Sequence, residues 1–420
     1  MVVDFLIRNA AELFTCAGPA PRTGRAMRVA GRITDAALAS HDGRIVFVGP
    51  TAECDWLISP APSATVIDAT GCAVVPGFVD AHTHVVFAGD RRHELARRLA
   101  GATYAEISAE GGGILSTVRA TRAATVDELV DATWPRLDEM LRAGTTTAEA
   151  KSGYGLTLES ELTMLRAIRR LDQEHPIDLA PTFMGAHEVP AEYRDRREAY
   201  VAHVINDMIP EVAREGLAEW CDVFCERGVF TPEESLSILE AGQNAGLKPR
   251  IHANELGPTG GASVAARLHA RSADHLVFVD DEEAAALAGA GVVATLLPAA
   301  AFYLKLGRFA PARRLIDLDV PVALATDVNP GGGFSPSLPF VMSLACFAMG
   351  LTFEEALIGT TLNAAFALDR SDDIGSLEVG KRCDAVVVNG PAVELLRAGA
   401  SPIRAVIKNG RRPDPLSRLR

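Results

Sequence analysis

Between residues 76 and 327, short apolar segments alternate regularly with longer segments of helical pattern. This alternation is typical of strand–helix units around a parallel sheet, and it places the chain in the α/β class. Eight apolar segments qualify as strands, and we expect them to end near His82, Glu149, His187, Glu226, His252, His275, Leu297 and Asp327. Eight is the number of strands that closes a (β/α)₈ barrel.

The segments between the strands carry helix start and stop signals. Thr231 precedes Pro232 and stands three residues before Glu234, which is the pattern of a capped helix start, and Gly144 and Gly246 stand where helices should end. We expect helices over residues 126–143, 158–174, 191–215, 232–245 and 282–290. The alternation alone fits a closed barrel or an open doubly wound sheet, so the polar residues must decide between them.

Five of the ten histidines, His82, His84, His187, His252 and His275, fall at or just beyond predicted strand ends. A single histidine in an apolar segment is more often a satisfied core residue than a ligand. Five at equivalent positions instead indicate an active site, because the carboxyl-end rim is where α/β barrels build one. The sequence therefore favours the closed barrel.

The spacing of His82 and His84 directs both imidazoles to the same side of an extended segment, because side chains repeat every second residue. Joined by a third histidine and a carboxylate, such as His252 and Asp327, they form a nitrogen and oxygen site suited to Zn²⁺ or Fe²⁺. An ion of this kind activates water and polarises carbonyl groups. The pattern predicts hydrolysis.

Both ends of the chain have a different texture, with short β-rich segments separated by turn signals. We expect residues 1–75 and 375–420 to form one small β domain, and residues 76–374 to form the catalytic barrel. The alternative is that the terminal strands decorate the central domain.

The formal net charge of −13 makes nucleic acid and anionic membrane surfaces improbable partners, and no apolar segment reaches the 18 or so residues that span a bilayer. The seven cysteines are scattered and include no C-x-x-C pair. They indicate reduced thiols in a cytoplasmic protein. An anionic substrate would need local cations, which draws attention to any arginine near the rim.

Residues 76–84 (Pro-Gly-Phe-Val-Asp-Ala-His-Thr-His) resemble the first-strand signature of the amidohydrolase superfamily. The resemblance narrows to the imidazolonepropionase family through residues 87–91, 111–119, 151–156 (Lys-Ser-Gly-Tyr-Gly-Leu), 184–188 (Met-Gly-Ala-His-Glu), 251–256 (Ile-His-Ala-Asn-Glu-Leu), 272–275 and 326–331 (Thr-Asp-Val-Asn-Pro-Gly). It implies a distorted (β/α)₈ TIM barrel with a small β-sandwich-like domain built from both termini.

The resemblance also implies roles for individual residues. His82, His84, His252 and Asp327 would hold one divalent ion, and His275 with Glu255 would activate water and relay a proton. The substrate pocket would be lined by Arg91, Tyr104, Tyr154, His187, Glu255, Asn329, Gly331 and Gly332. Each role has a structural alternative. Arg91 could begin a solvated helix, and Tyr154 could pack as a lid. His187 could be structural, and Glu255 could only cap the loop that carries a metal ligand.

The sequence departs from the family pattern at residues 331–335, Gly-Gly-Gly-Phe-Ser, where small hydroxyl residues are more usual. Gly332 can therefore contact a substrate only through its backbone N–H. Lys151 follows the second strand, whereas a carboxylated lysine that bridges two metals would follow the fourth, so one metal is favoured.

The implied reaction is hydrolysis of 4-imidazolone-5-propanoate to N-formimidoyl-L-glutamate, in which metal-activated water attacks the cyclic amide carbonyl. A guanidinium at Arg91 can grip the propionate of this small anionic heterocycle through two hydrogen bonds. The alternatives are another amidohydrolase, such as a deaminase of an aminated heterocycle, and a ligand-binding barrel without turnover. A homodimer is possible.

Overall fold

The computed structural model describes residues 1–102, 106–107 and 111–413. Its strands, numbered β1 to β15, are Val2–Phe14, Arg32–His41, Arg44–Pro50, Ser59–Asp68, Cys72–Pro76, Phe78–Asp80, Thr145–Lys151, Asp178–Ala186, Trp220–Cys225, Lys248–Ala253, Ser272–His275, Val293–Leu296, Val322–Leu324, Ala385–Asn389 and Ile403–Ile407. They form two sheets.

Strands β6 to β13 form the first sheet, in which each strand pairs with its sequence neighbours. All seven pairings between these eight strands are parallel. Beyond the ends of β13 and β6, Asp327 N donates to His82 O at 3.1 Å and His84 N donates to Val328 O at 2.9 Å. These bonds bring the last strand back to the first, so the sheet is a nearly closed barrel and not an open doubly wound sheet.

Helices surround the barrel strands and supply the other side of the hydrophobic core. The described α-helices are Thr51–Leu57, Arg92–Leu99, Ile114–Arg122, Val126–Arg142, Leu158–Glu174, Arg197–His203, Ile209–Glu215, Pro232–Asn244, Gly261–Arg267, Asp281–Ala290, Pro298–Tyr303, Ala312–Asp317, Leu338–Met349, Phe353–Gly359 and Leu362–Ala367. Thr231 and Glu234 form the predicted capping box. Among the described residues, no helix has both the length and the apolar character needed to cross a membrane.

The helix expected over residues 191–215 is interrupted. A 3₁₀ turn covers Ala191–Tyr193, a helix begins at Arg197, and a π-helical turn at Val204–Met208 joins it to the helix Ile209–Glu215. Pro210 explains the second break, because proline has no N–H for the regular ladder and is tolerated in a first turn. The single-helix prediction was wrong here.

The second sheet contains β1 to β5 together with β14 and β15, in the order β15-β14-β5-β1-β2-β3, with β4 also paired to β1. One buried apolar cluster gathers side chains from both chain ends, among them Phe5, Leu38, Val74, Val387 and Ile407. Both termini therefore build one β unit, as predicted. The exact domain boundaries at residues 75 and 375 stay a prediction.

Candidate active site

A cavity opens at the carboxyl ends of the barrel strands. Its lining brings together most of the residues that the sequence analysis singled out: His84, Arg91, Tyr154, His187, His252, Glu255, His275, Asp327, Asn329, Gly331 and Gly332. His82 is buried beside His84 and His252. Tyr104 lies outside the described residues. The apolar walls of the cavity carried no chemical signal in the sequence. They are formed by Ile114, Phe224, Leu256 and Leu304.

The three predicted histidine ligands form a tight cluster. Within the described ranges, His82, His84 and His252 are the one group of three or more potential ligand side chains whose ligand atoms all lie within 4.8 Å of one another. His84 Nε2 is 3.1 Å from His252 Nε2. Asp327 Oδ1 lies 3.6 Å from His82 Nε2 and 3.7 Å from His84 Nε2. Four donors at these separations suit a single cation.

Burial keeps the imidazoles of His82 and His84 uncharged. It lowers the pKa values of His82 and His84 well below 6.5, with further depression from neighbouring positive charges and histidines. His82 Nε2 is buried and makes no hydrogen bond to any described residue. A neutral imidazole nitrogen with an unused lone pair is what a metal ligand requires. The site therefore fits a divalent ion.

The carboxylates of the site are also shifted. Burial raises the pKa of Asp327 to about 8, and nearby Asp80 and Asp274 add to the shift. Burial, with repulsion from Asp327 and Glu226, raises the pKa of Glu255 well above 4.5. Carboxyl groups crowded in a buried pocket retain protons, and a divalent cation is the charge that would offset them.

Four residues at this rim have positive φ angles. Asn254, His275, Leu276 and Asp327 have φ angles of 53°, 73°, 55° and 53°. Side chains rarely adopt this left-handed region, and such strain is characteristic of active sites. Here it accompanies the turns that follow β10, β11 and β13, and two of the strained residues are predicted site residues.

His275 and Glu255 face each other across a short gap, with Nδ1 of His275 3.6 Å from Oε1 of Glu255. Nε2 of His275 is buried and makes no hydrogen bond within the described residues. Burial lowers the pKa of His275 well below 6.5, so the ring is neutral and can accept a proton. The pair has the composition and proximity of a proton relay.

Arg91 lies immediately before the helix Arg92–Leu99, yet its side chain is buried. It is therefore not the solvent-exposed start of a helix. Its Nε and Nη2 atoms donate to the two carboxylate oxygens of Glu94 at 3.0 and 2.8 Å, and Gly113 N also donates to Glu94. The guanidinium packs against Gly331, where a Cβ atom would stand 2.5 Å from Arg91 Cζ. Sequence reasoning missed Glu94, although its spacing from Arg91 was a usable signal.

Asn329 organises the glycine turn that follows the last strand. Its Oδ1 accepts hydrogen bonds from Gly331 N, at 2.8 Å, and from Gly332 N, while its Nδ2 donates to Asp327 O at 2.8 Å. The Gly332 N–H, which the sequence analysis offered to a substrate, is thus directed at Asn329.

Tyr154 and His187 form an aromatic wall beside the metal cluster. The His187 ring stacks on His84 with centroids 4.8 Å apart, and the Tyr154 ring lies 5.1 Å from His187. His187 Nδ1 is 2.9 Å from the carbonyl oxygen of Gly153, and burial lowers the pKa of His187 to about 3. The neutral ring therefore donates through Nδ1 and retains a lone pair on Nε2.

A nearly closed (β/α)₈ barrel with a histidine cluster at its carboxyl rim is the architecture of a metal-dependent hydrolase, and the chain belongs to the amidohydrolase family, which matches residues 73–412. Family membership and the histidine cluster together support a divalent metal ion at this site.

Within that class, the chain belongs to the imidazolonepropionase family of hydrolases that act on a cyclic amide. It is 51% identical over 412 residues to the imidazolonepropionase of Symbiobacterium thermophilum, with 97% of each chain covered. It is 47% identical to that of Alkaliphilus metalliredigens, with 98% of each covered, and 48% identical to that of Geobacillus kaustophilus, with 96% of each covered.

Solved structures of lower identity show the same fold. An adenosine deaminase from Xanthomonas campestris with bound zinc has a TM-score of 0.70 at 20% identity, and the match covers 98% of this chain and 93% of that chain. Molinate hydrolase has a TM-score of 0.68 at 18% identity, with 99% and 96% covered. The predicted α/β barrel is confirmed.

Proposed function

We propose that the rim of this barrel hydrolyses 4-imidazolone-5-propanoate to N-formimidoyl-L-glutamate. The observation that carries the activity is family membership, at 47–51% identity to imidazolonepropionases over nearly the whole chain. The cavity adds a physical reason, because it combines a cluster of metal-type ligands, a proton-relay pair and a buried arginine.

His82, His84, His252 and Asp327 would hold one ion, either Zn²⁺ or Fe²⁺, since three imidazoles and a carboxylate suit both. When bound, the ion lowers the pKa of water towards about 7 and polarises the carbonyl of the substrate. Lys151 Nζ lies 2.6 Å from both Glu149 and Asp222 and does not line the cavity, which supports a site with one ion.

His275, neutral and buried beside Glu255, would accept a proton from the attacking water. Glu255, which lines the cavity and whose pKa is raised, would carry the proton to the ring nitrogen that leaves. His275 thus works as the base and Glu255 as the acid that completes the ring opening.

The other predicted residues would bind and orient the substrate. Tyr154 and His187 offer a flat aromatic surface to the planar ring, and Asn329 holds the glycine turn against Arg91. Arg91 would bind the propionate, because a guanidinium that serves Glu94 along one edge can serve a second carboxylate along another. The cavity would therefore select a heterocycle that carries an acid.

A direct test is to incubate metal-loaded protein with freshly generated imidazolone propionate and to follow the loss of its ultraviolet absorbance. We expect formation of N-formimidoyl-L-glutamate in equal amount, and metal analysis of the same sample identifies Zn²⁺ or Fe²⁺. Metal-loaded, folded protein that fails to accelerate the reaction would contradict the proposal.

Arg91→Ala tests whether Arg91 binds the propionate of the substrate. Removing one partner of a desolvated ion pair costs about 2–5 kcal/mol, and we expect the lower end because Glu94 already shares this guanidinium. KM for imidazolone propionate should rise about 30-fold, which is the equivalent of about 2 kcal/mol. KM for an analogue with an ethyl group in place of the propionate should change little.

Two further variants control this measurement. Arg92→Ala removes the exposed neighbouring arginine, which pairs with Asp90, and should leave KM unchanged. Arg91→Ala leaves Glu94 buried without its cation, so Arg91→Ala/Glu94→Gln separates lost binding from lost stability. Equal losses on both substrates would show that Arg91 does not bind the carboxylate.

A further inference from the structure

Beneath the histidine cluster lies a layer of five charged side chains from strands β7, β9, β10 and β11, all fully buried: Glu149, Lys151, Asp222, Arg250 and Asp274. We refer to them as the buried charge layer. Burying charge is costly unless each group is paired, so a set of this size in a barrel interior needs a reason. The proposed reaction assigns no task to any of the five.

Two carboxylates of the layer contact the imidazoles of proposed metal ligands. Asp274 Oδ2 lies 2.6 Å from His82 Nδ1, and Asp222 Oδ1 lies 3.0 Å from His252 Nδ1. An ionised carboxylate only accepts hydrogen bonds, so each Nδ1 carries the proton and each Nε2 keeps its lone pair. The two carboxylates therefore fix the tautomers of both rings.

This tautomer leaves Nε2 unprotonated in both rings, and both Nε2 atoms lie close to other proposed metal ligands. His252 Nε2 lies 3.1 Å from His84 Nε2, and His82 Nε2 lies 3.6 Å from Asp327 Oδ1. The ring nitrogens that the buried carboxylates leave with a lone pair are thus the atoms that a shared cation would bind.

The cations of the layer hold the carboxylates in place. Lys151 Nζ donates to Asp222 Oδ2 and to Glu149 Oε1, both at 2.6 Å. Asp274 Oδ1 accepts from Ser272 Oγ at 2.6 Å, and its Oδ2 lies 3.5 Å from Arg250 Nη2. Every carboxylate of the layer therefore has a partner besides a histidine.

The buried charge layer also hydrogen-bonds to Thr83, which lies between the two proposed ligands His82 and His84. Glu149 Oε2 accepts from Thr83 N at 3.0 Å, Thr83 Oγ1 donates to Glu149 O at 2.6 Å, and Lys151 N donates to Thr83 O at 3.1 Å. These bonds hold the backbone from which both rings project.

We infer that Asp222 and Asp274 are positioning residues for the metal ion, which present Nε2 of His252 and His82, and that Lys151 and Arg250 hold them there. This inference rests on the ligand set of the proposed function.

Asp222→Asn and Asp274→Asn test the inference through metal affinity. An asparagine amide can donate as well as accept, so it no longer fixes the imidazole tautomer. Zn²⁺ affinity, measured by competition with a chromophoric chelator, should fall about 10- to 100-fold in each variant, as is typical when such a partner is lost. The visible absorption spectrum of the cobalt-substituted protein should shift as well.

Asp384→Asn is the matched control. Asp384 is also buried and also paired with a lysine, Lys408, at 2.7 Å, but it precedes β14 of the terminal sheet, and its carboxylate accepts from Lys408 and Asn409 where Asp222 and Asp274 contact histidines. This variant should lose stability and keep its Zn²⁺ affinity. Thermal unfolding of the metal-free proteins shows whether each variant is folded.

If Asp222→Asn fails to fold because Lys151 loses its counter-charge, Asp222→Asn/Lys151→Met removes both charges together. Its Zn²⁺ affinity should still be reduced. Wild-type affinity in folded Asp222 and Asp274 variants, beside a loss of affinity in Asp327→Ala, would overturn this inference alone. Retained affinity in Asp327→Ala would instead overturn the proposed ligand set.

Discussion

Replacing Asp327 by alanine is expected to lower catalytic activity by at least about 10³-fold, because the contribution of a bound metal ion is several kcal/mol of transition-state stabilisation. The wild-type protein should carry about one divalent ion per chain, since three imidazoles and one carboxylate form a single-ion set. Asp327 Oδ1 lies within 3.7 Å of both His82 Nε2 and His84 Nε2, so its loss removes the one anionic donor of that set. Metal content and turnover are measured on the same preparation.

The backbone at Asp327 matters for the choice of variants. Its φ of 53° is less costly for aspartate or asparagine than for alanine, so Asp327→Ala should also lose about 1 kcal/mol of stability. Asp327→Asn keeps the backbone preference and removes only the charge. Both variants should lose activity, and the asparagine variant should unfold at the higher temperature when metal-free.

Asp317→Ala is a suitable control, because this half-exposed carboxylate lies ten residues earlier and pairs only weakly with Arg313, at 3.9 Å. It should retain both metal and activity. Two tightly bound ions per wild-type chain, or an active Asp327→Ala protein, would contradict the site as proposed.

The barrel was predictable because seven of its eight strands have a histidine, aspartate or glutamate at or near their expected ends. A histidine, aspartate or glutamate that follows an apolar segment marks both the end of the strand and the rim on which it lies, as at His187, His252 and Asp327. The terminal sheet was predictable from the change in texture at residue 76. The interruption of the helix expected over residues 191–215 was harder to predict. The π-helical turn before Pro210 arises because proline cannot donate to the regular hydrogen-bond ladder of the helix.

The residues at the rim of the site were predictable from the sequence, whereas the buried charge layer beneath them was not. Asp222 and Asp274 lie within short buried strands, where their chain neighbours gave no sign of a partner. Their contacts with His252 and His82 depend on the register and order of the barrel strands, which the sequence alone does not specify. A charged residue inside an otherwise apolar strand was the available signal, because such a residue must find a partner.

Replacing His275 by alanine should lower kcat by about 10²-fold or more while the metal content stays unchanged, which is the range for loss of a positioned general base. The physical reason is that His275 is neutral, lines the cavity and lies 3.6 Å from Glu255. Because its φ is 73°, His275→Asn is the better-tolerated companion variant, which lacks the basic nitrogen. Glu255→Gln should lower kcat before it changes KM.

The exposed residue His269 provides the control, since His269→Ala removes an imidazole from outside the cavity and should leave kcat unchanged. The decisive comparison is metal content against turnover in the His275 variants. A base leaves the ion in place when it is removed, whereas a ligand takes the ion with it. Loss of metal from His275→Asn would therefore make His275 a fifth ligand, and the proton would then have to pass through Glu255 alone.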